Sequence, residues 1–182
     1  MESVLTLAQL RALMPNLSEA KATLYRPALT AAMRERDILT LRRTAAFLAQ
    51  LALESGELRY FRELATGEAY EGRLDLGNTE PGDGVRYKGR GPIQLTGRAN
   101  YRAAGRALNL PLEAQPELVE TPAVGFRVAA WFWESRQLNH WADMGTVESF
   151  REITRRINGG RNGLEQREAY HRRAQQVFGG VS

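Results

Sequence analysis

The chain has 182 residues, 43% of them hydrophobic, which fits one globular domain and is too short for two sizeable ones. It has no cysteine, which excludes disulfides and thiol chemistry, and its two histidines, His140 and His171, are too far apart in sequence for a zinc motif. With 25 Lys and Arg against 21 Asp and Glu the formal net charge is +4, which favours contact with anionic surfaces.

The first third of the chain shows helical periodicity. Four segments with capping or breaking residues at their ends are predicted as helices, over residues 6–14, 18–25, 27–36 and 40–54. Pro27 is expected to begin the third of these, because proline is tolerated best in the first turn of a helix. Thr40 is the candidate N-cap of the fourth.

The middle and the end of the chain give an irregular segment followed by further helices. Residues 67–91 are rich in Gly, Asp, Asn and Glu, which indicates a long irregular lobe or lid that can include a small hairpin. Helices are predicted over residues 97–108, 122–136, 146–157 and 164–178. Trp131 and Trp133 have apolar neighbours and are assigned to core packing rather than to sugar stacking. The fold class predicted from these elements is all-α, in a single domain over residues 1–182.

Two carboxylates stand out around the helix over 40–54. Glu54 ends this apolar helix and is followed by Ser55-Gly56, so its side chain is expected to be rigid and partly buried. Such burial favours the protonated form that a general acid needs. Glu63 follows past a turn, and is expected on a different element facing Glu54 across a gap. Two acids flanking a cleft are the minimum for glycoside hydrolysis. The alternative is that both are solvated surface acids.

The segment YKGRGPIQLTGRANY, residues 87–101, is the most informative part of the sequence. Its glycines and its proline disfavour a helix at the start, and glycines beside polar side chains suit a backbone that something approaches closely. In an extended segment Gln94 and Thr96 would point to the same side, as in the wall of a groove that binds a polar ligand. The alternative is a polar surface loop with Thr96 as the N-cap of the next helix.

Three blocks together resemble glycoside hydrolase family 19, which contains chitinases and phage endolysins that act on peptidoglycan. They are FLAQLALESG at 47–56, the segment over 87–101, and INGG at 157–160, and they occur in the order of the family. The resemblance spans roughly residues 20–178. The spacing of the two glutamates and the compact length are more similar to the endolysin branch than to the plant chitinases.

The resemblance implies catalytic roles for three residues. Glu54 matches the general acid, Glu63 the general base, and Thr96 the hydroxyl that helps to hold the attacking water. Two positions depart from the family. Leu53 stands where the family usually has His, and Glu57 adds a third acid that could be confused with the base.

Substrate-binding roles are implied for a second set of residues: Gln94, Asn100, Asn158, Arg167 and Tyr87. Asn158 belongs to the NGG turn near the catalytic centre. Arg167 matches a downstream arginine that interacts with the second carboxylate. No metal and no cofactor are expected.

The family also implies a lysozyme-like domain with two lobes and a central substrate cleft. The predicted function is an endolysin that hydrolyses β-1,4 bonds of peptidoglycan glycan strands with inversion, causing lysis. One alternative is a chitinase acting on chitin oligosaccharides. An alternative of another class is a non-catalytic glycan-binding relative, a reading that Leu53 supports.

The ends of the chain lead to predictions about partners and location. Residues 1–17 lack the basic start and apolar run of a signal peptide, and no apolar run is long enough to span a membrane. We therefore predict a monomer made in the host cytoplasm that reaches the cell wall, in the periplasm, through a holin. The basic C-terminal region carries no nucleic-acid motif, so it is interpreted as a solvated helical face and no nucleic acid partner is expected.

Overall fold

The computed structural model describes residues 5–179, and over this range the chain is mainly helical. Its α-helices are α1 (Leu7–Leu13), α2 (Glu19–Glu35), α3 (Leu41–Glu54), α4 (Asp83–Arg86), α5 (Arg98–Leu108), α6 (Pro122–Ser135), α7 (Leu138–Met144), α8 (Val147–Asn158) and α9 (Leu164–Phe178). Between residues 5 and 179 β-pairing is limited to isolated antiparallel bridges, Arg62 with Arg90 and Arg90 with Leu95. The predicted all-α class is confirmed.

Helix α3 is the centre of the core. Every residue from Thr44 to Ala52 is buried, and α3 packs along α9. Its alanines let neighbouring helices approach, while Phe47 packs edge-on against Trp133 with ring centroids 5.3 Å apart. Each large apolar side chain buried in this way contributes about 1.5–3 kcal/mol. The last residue of this rigid helix is Glu54, so the core fixes the position of its carboxylate.

Several predicted helix ends are confirmed. Thr40 is the N-cap of α3, and its hydroxyl accepts a hydrogen bond from the Arg43 amide. Asn109 ends α5 in the left-handed conformation, with a φ of 53°. Helix α9 covers the predicted residues, Leu164–Phe178. Trp133 is 1% exposed and belongs to the core, as expected.

Two helix predictions are wrong. The helices expected over 18–25 and 27–36 form a single helix, α2, with Pro27 inside it. Buried residues lie on both sides of the proline, among them Tyr25 and Leu29, and their packing outweighs the roughly 3 kcal/mol that an interior proline costs. Helix α7 was not predicted, because it begins after Gln137 without a side-chain cap.

The segment over 67–91 is irregular, as predicted, but it is tied down by buried polar contacts. It contains two short 3-10 turns, Glu68–Tyr70 and Leu74–Leu76, before α4. Asp83, 1% exposed, accepts hydrogen bonds from the amides of Thr79 and Glu80 and pairs with Arg98 at 2.6 Å. A hairpin is not formed within this segment, since its backbone groups bond to turns and to carboxylates instead.

None of the helices in the described range combines the length and the apolar character needed to cross a bilayer.

Candidate active site

The first candidate catalytic residue, Glu54, is held by Arg167. Glu54 Oε1 accepts a hydrogen bond from Arg167 Nη2 at 2.6 Å, and the two side chains are 18% and 5% exposed. The C-terminal end of a helix carries partial negative charge, which is unfavourable for a carboxylate. The guanidinium from α9 compensates both that charge and the partial burial of the acid.

Behind this ion pair lies a buried chain of polar groups. Arg167 Nη1 donates to Gln50 Oε1 at 2.6 Å, and Gln50 Nε2 donates to Thr154 Oγ1 at 2.9 Å. Both partners of Arg167 on α3, Gln50 and Glu54, are four residues apart and therefore lie on one face of the helix. These buried hydrogen bonds fix the guanidinium of Arg167, and the guanidinium in turn fixes the carboxylate of Glu54. Arg167 was expected on the second carboxylate, and that expectation is wrong, because α9 packs along α3.

The NGG turn joins the same group. Asn158 Nδ2 donates to the Asn162 carbonyl at 3.0 Å, and Arg167 Nε donates to the same carbonyl at 3.0 Å. Leu53 packs against this loop, since a Cβ added to Gly163 would lie 2.5 Å from Leu53 Cδ2. We call Glu54, Arg167 and Asn158 the acid cluster.

The second candidate, Glu63, lies in the irregular segment that follows α3. Its amide donates to the Gly89 carbonyl at 2.9 Å, and its Oε2 accepts from the Tyr70 hydroxyl at 3.0 Å. Burial raises the pKa of Tyr70, and the hydrogen bond to Glu63 adds to this, so the hydroxyl remains a donor. Within residues 5–179 the buried Oε1 of Glu63 has no hydrogen-bond partner. A buried acceptor without a protein donor is a group that a bound water molecule can satisfy.

Gln94 approaches Glu63 over Gly89. A Cβ added to Gly89 would lie 2.8 Å from Glu63 Oε2 and 2.8 Å from Gln94 Oε1. Gln94 has a φ of 55°, and its amide bonds to the Gly91 carbonyl at 3.0 Å. The segment therefore turns at Gln94, so the expected extended geometry with Gln94 and Thr96 on one side is wrong.

Thr96 and Asn100 follow Gln94 in a chain of local contacts. Thr96 Oγ1 donates to the Gln94 carbonyl at 3.0 Å, and Asn100 Nδ2 donates to the Thr96 carbonyl at 2.8 Å. The N-cap of α5 is Gly97, without a side-chain hydrogen bond, so Thr96 is not the cap of this helix. We call Glu63, Gln94, Thr96 and Asn100 the base cluster.

Tyr87 and Glu57 are buried residues with structural roles. Tyr87 is 1% exposed and its hydroxyl donates to the Glu113 carbonyl at 2.9 Å, so it is a core residue that no glycan can reach, contrary to the substrate-binding role expected for it. Glu57 is 3% exposed and both of its carboxylate oxygens accept hydrogen bonds, from the Asn16 amide and from the Tyr170 hydroxyl. It is therefore not available as a base.

Sequence reasoning missed Gln50 and Tyr70. Gln50 had a signal, because it is a lone amide in the apolar run FLAQLALE, four residues before Glu54. Tyr70 had none, since it contacts Glu63 through an irregular turn that no periodicity predicts.

The structure thus places two carboxylates on different elements, each with one fixed partner and in a different electrostatic setting. Residues 5–179 contain no group of three or more His, Asp and Glu side chains placed to hold a metal ion.

Comparison with known proteins adds three findings. The profile of the family described as chitinase class I matches residues 37–147, which include both glutamates and the base cluster. An endochitinase of Arabidopsis thaliana is 42% identical over 120 residues, covering 65% of this chain and 40% of that protein. A glycosyl hydrolase family 19 domain-containing protein of Haemophilus influenzae is 37% identical over 105 residues, covering 58% of this chain and 49% of that protein.

A solved structure shows the same architecture over nearly the whole chain. Chitinase C from Streptomyces griseus HUT6037 matches with a TM-score of 0.79 at 29% identity, covering 98% of this chain and 78% of that one. The helical fold here is the lysozyme-like fold of these chitinases. The chain spans 40% and 49% of the lengths of the two curated relatives named above.

Proposed function

The chain belongs to glycoside hydrolase family 19, the class I chitinases, and we propose that it hydrolyses β-1,4-linked N-acetylglucosamine chains with Glu54 as general acid and Glu63 as general base. The observation that carries this proposal is the pair of separately fixed carboxylates, Glu54 on Arg167 and Glu63 on Tyr70. Family 19 membership alone gives the class of reaction. The roles of acid and base follow from the match of Glu54 and Glu63 to the corresponding residues of the family, and the two partners hold each carboxylate in place.

Glu54 suits proton donation to the leaving glycosidic oxygen. Once the proton has left, the carboxylate that forms is stabilised by the Arg167 guanidinium at 2.6 Å, which is itself held by Gln50. A charge-assisted hydrogen bond of this kind is among the stronger ones in proteins. The ion pair therefore stabilises the carboxylate left after the transfer, while the role of Glu54 as the proton donor rests on its match to the acid of the family.

Glu63 suits proton abstraction from water. Tyr70 holds Oε2, and Oε1, which is buried without a protein donor within residues 5–179, is the oxygen to which we assign the proton of a bound water molecule. The Thr96 hydroxyl donates to the Gln94 carbonyl and keeps its lone pairs for that water. Attack from the face opposite the leaving group inverts the anomeric carbon, and carboxyl groups about 6.5–9.5 Å apart leave room for the water.

A second candidate substrate is peptidoglycan, as the sequence alone predicted. The observation that favours it is exposed positive charge close to the two clusters in sequence, on Arg59, on Arg161 and on Arg62, whose guanidinium lies 4.0 Å from Glu120. Chitin is uncharged, whereas peptide-bearing glycans carry carboxylates that exposed arginines would attract. The endolysin role, holin-dependent release and action in the periplasm belong to this candidate.

The deciding experiment is product analysis by mass spectrometry on two substrates, chitin hexasaccharide and purified peptidoglycan. We expect shorter N-acetylglucosamine oligomers from the first. Muropeptides from the second substrate alone would move the assignment to peptidoglycan, and their reducing-end sugar would identify the bond.

Glu54→Gln is the control for the product analysis. It keeps the shape of the acid and the contact with Arg167 but cannot donate a proton, so the products should fall by orders of magnitude. Absence of product from the wild-type protein on both substrates would favour the non-catalytic relative.

A further inference from the structure

The turn that follows Glu54 has an unusual backbone. Gly56, Glu57 and Leu58 are consecutive left-handed residues, with φ of 56°, 61° and 60°. For a residue with a side chain this conformation costs about 1–3 kcal/mol, and it persists only where the surroundings hold it. The turn lies between Glu54 and Glu63 in the sequence, so its conformation determines the direction in which the backbone runs from the acid to the base.

The carboxylate of Glu57 holds this turn. Its Oε2 accepts from the Asn16 amide at 2.6 Å, and its Oε1 accepts from the Tyr170 hydroxyl at 2.7 Å. Asn16 lies in the connection between α1 and α2, and Tyr170 lies on α9. Glu57 is only 3% exposed, so both contacts form away from water, where an unmade hydrogen bond is costly.

Glu57, like Glu54, is bonded to a side chain of α9, and both members of its pair come three residues later in the sequence. Tyr170 comes three residues after Arg167 on α9, and Glu57 comes three residues after Glu54. Residues three apart share a helix face, so α9 reaches the segment 54–57 with two neighbouring cross-links. One joins Arg167 to Glu54 and the other joins Tyr170 to Glu57.

Resting on the proposed function, we propose that Glu57 is a positioning residue of the glycosidase. Its buried carboxylate fixes the left-handed turn against α9 and the α1–α2 connection, and thereby sets the orientation of Glu54 and the course of the chain to Glu63. Glu57 takes no part in proton transfer, because both oxygens are occupied by protein donors.

The test compares Glu57→Ala with Glu57→Gln on chitin hexasaccharide. Glutamine can keep both contacts, since its carbonyl accepts from Asn16 and its amide can donate to the Tyr170 oxygen, so near wild-type kcat is expected. Alanine releases the turn, and kcat should fall on the order of 100-fold with KM within about threefold, because misplacement of a reacting group costs rate. Tyr170→Phe removes one contact and should give a smaller fall in kcat.

A stability-matched control separates positioning from general destabilisation. Leu138→Ala truncates a buried side chain of α7 that belongs to neither cluster. Rates are measured below the melting range of every variant. If Glu57→Ala keeps wild-type kcat, or loses no more than Leu138→Ala, the proposal is overturned. A Glu57→Gln variant as inactive as Glu63→Gln would overturn it too, by placing Glu57 in the chemistry.

A second readout does not depend on activity. The carboxyl ¹³C resonance of Glu54 should move in Glu57→Ala and stay in Glu57→Gln, measured by NMR in the folded proteins. If the wild type hydrolyses no glycan, the proposed function fails while this resonance still decides the positioning role. An unmoved Glu54 resonance in folded Glu57→Ala, or in Tyr170→Phe should the alanine variant not fold, contradicts it.

Discussion

The carboxylate of Glu54 is held by the guanidinium of Arg167, whereas that of Glu63 is held by the phenol of Tyr70. The other carboxylate oxygen of Glu63, Oε1, has no hydrogen-bond partner within residues 5–179. Sequence reasoning predicted both glutamates, because each follows from the apolar helix, the turn after it and the family resemblance. It could not predict their partners. Arg167 was assigned to the wrong carboxylate, since only the packing of α9 along α3 decides which acid it reaches.

The hydrogen-bond partners of Glu57 and Glu63 predict which glutamine variant loses more activity. Glu63→Gln should nearly abolish turnover, because an amide cannot accept the proton of the attacking water. Glu57→Gln should have a mild effect, because its partners are protein donors that an amide can also satisfy. The measurement is kcat on chitin hexasaccharide for both variants. The reverse ranking would move the base to Glu57.

Thr96 tests the water-binding role without the ambiguity of a helix cap. Its hydroxyl bonds to the Gln94 carbonyl, and Gly97 is the N-cap of α5. Thr96→Ser should be tolerated. Thr96→Ala should cost about 1 kcal/mol of stability and lower turnover well beyond that, because the water must be held in line. Thermal melting and product release rates are compared, and an alanine variant that melts earlier yet turns over at the wild-type rate would remove Thr96 from the site.

At the scale of elements, helices with a strong cap and a clear apolar face could be predicted from sequence. Thr40 and the apolar residues after it give α3, and Asn109 gives the end of α5. Pro27 was misleading, because local propensity predicts a helix start whereas tertiary packing continues α2 through it. The loop before α5 was out of reach for a different reason. The left-handed φ of Gln94 arises from a turn closed onto Gly91 and not from its residue type.

This loop supports a prediction about Gly89. In Gly89→Ala the new methyl group would lie 2.8 Å from the side-chain oxygens of Glu63 and Gln94. These are ends of side chains that can shift, so the protein should fold with a small change in melting temperature, while the displaced base lowers kcat by roughly tenfold or more. Circular dichroism melting and kcat are the measurements. A wild-type kcat in this variant would show that the close approach at Gly89 does not matter for the reaction.

For the whole molecule, the arrangement follows from two long helices, α3 and α9, that carry Glu54 and Arg167 at one end of their contact. Around them the chain buries several polar groups, and one of these links stability to pH. His171 stacks on Phe150 with ring centroids 4.0 Å apart. Burial lowers the pKa of His171 to about 4, with Glu168 raising it and Arg172 lowering it to smaller extents.

Because of this buried histidine, we expect the free energy of unfolding to decrease as the pH falls below about 6.5. An unfolded histidine titrates near pH 6.5, so between about pH 6.5 and pH 4 the unfolded chain binds a proton that the folded chain does not. This contribution is present above pH 6.5 and is lost as the pH falls, by about 3 kcal/mol in total. Urea unfolding of the wild type and of His171→Phe from pH 7.5 to 4 should show the variant losing less free energy of unfolding. Parallel curves for the two proteins would contradict the assignment.

We propose that Glu54 and Glu63 act as acid and base in a single displacement by water. The most direct measurement is ¹H NMR of the anomeric protons during the first minutes of chitin hexasaccharide hydrolysis, before mutarotation. Inversion at a β-1,4 bond predicts that the α-anomer of the new reducing end appears first and then equilibrates. Initial formation of the β-anomer would show retention, which requires a covalent or substrate-assisted intermediate and would contradict the roles given to Glu54 and Glu63.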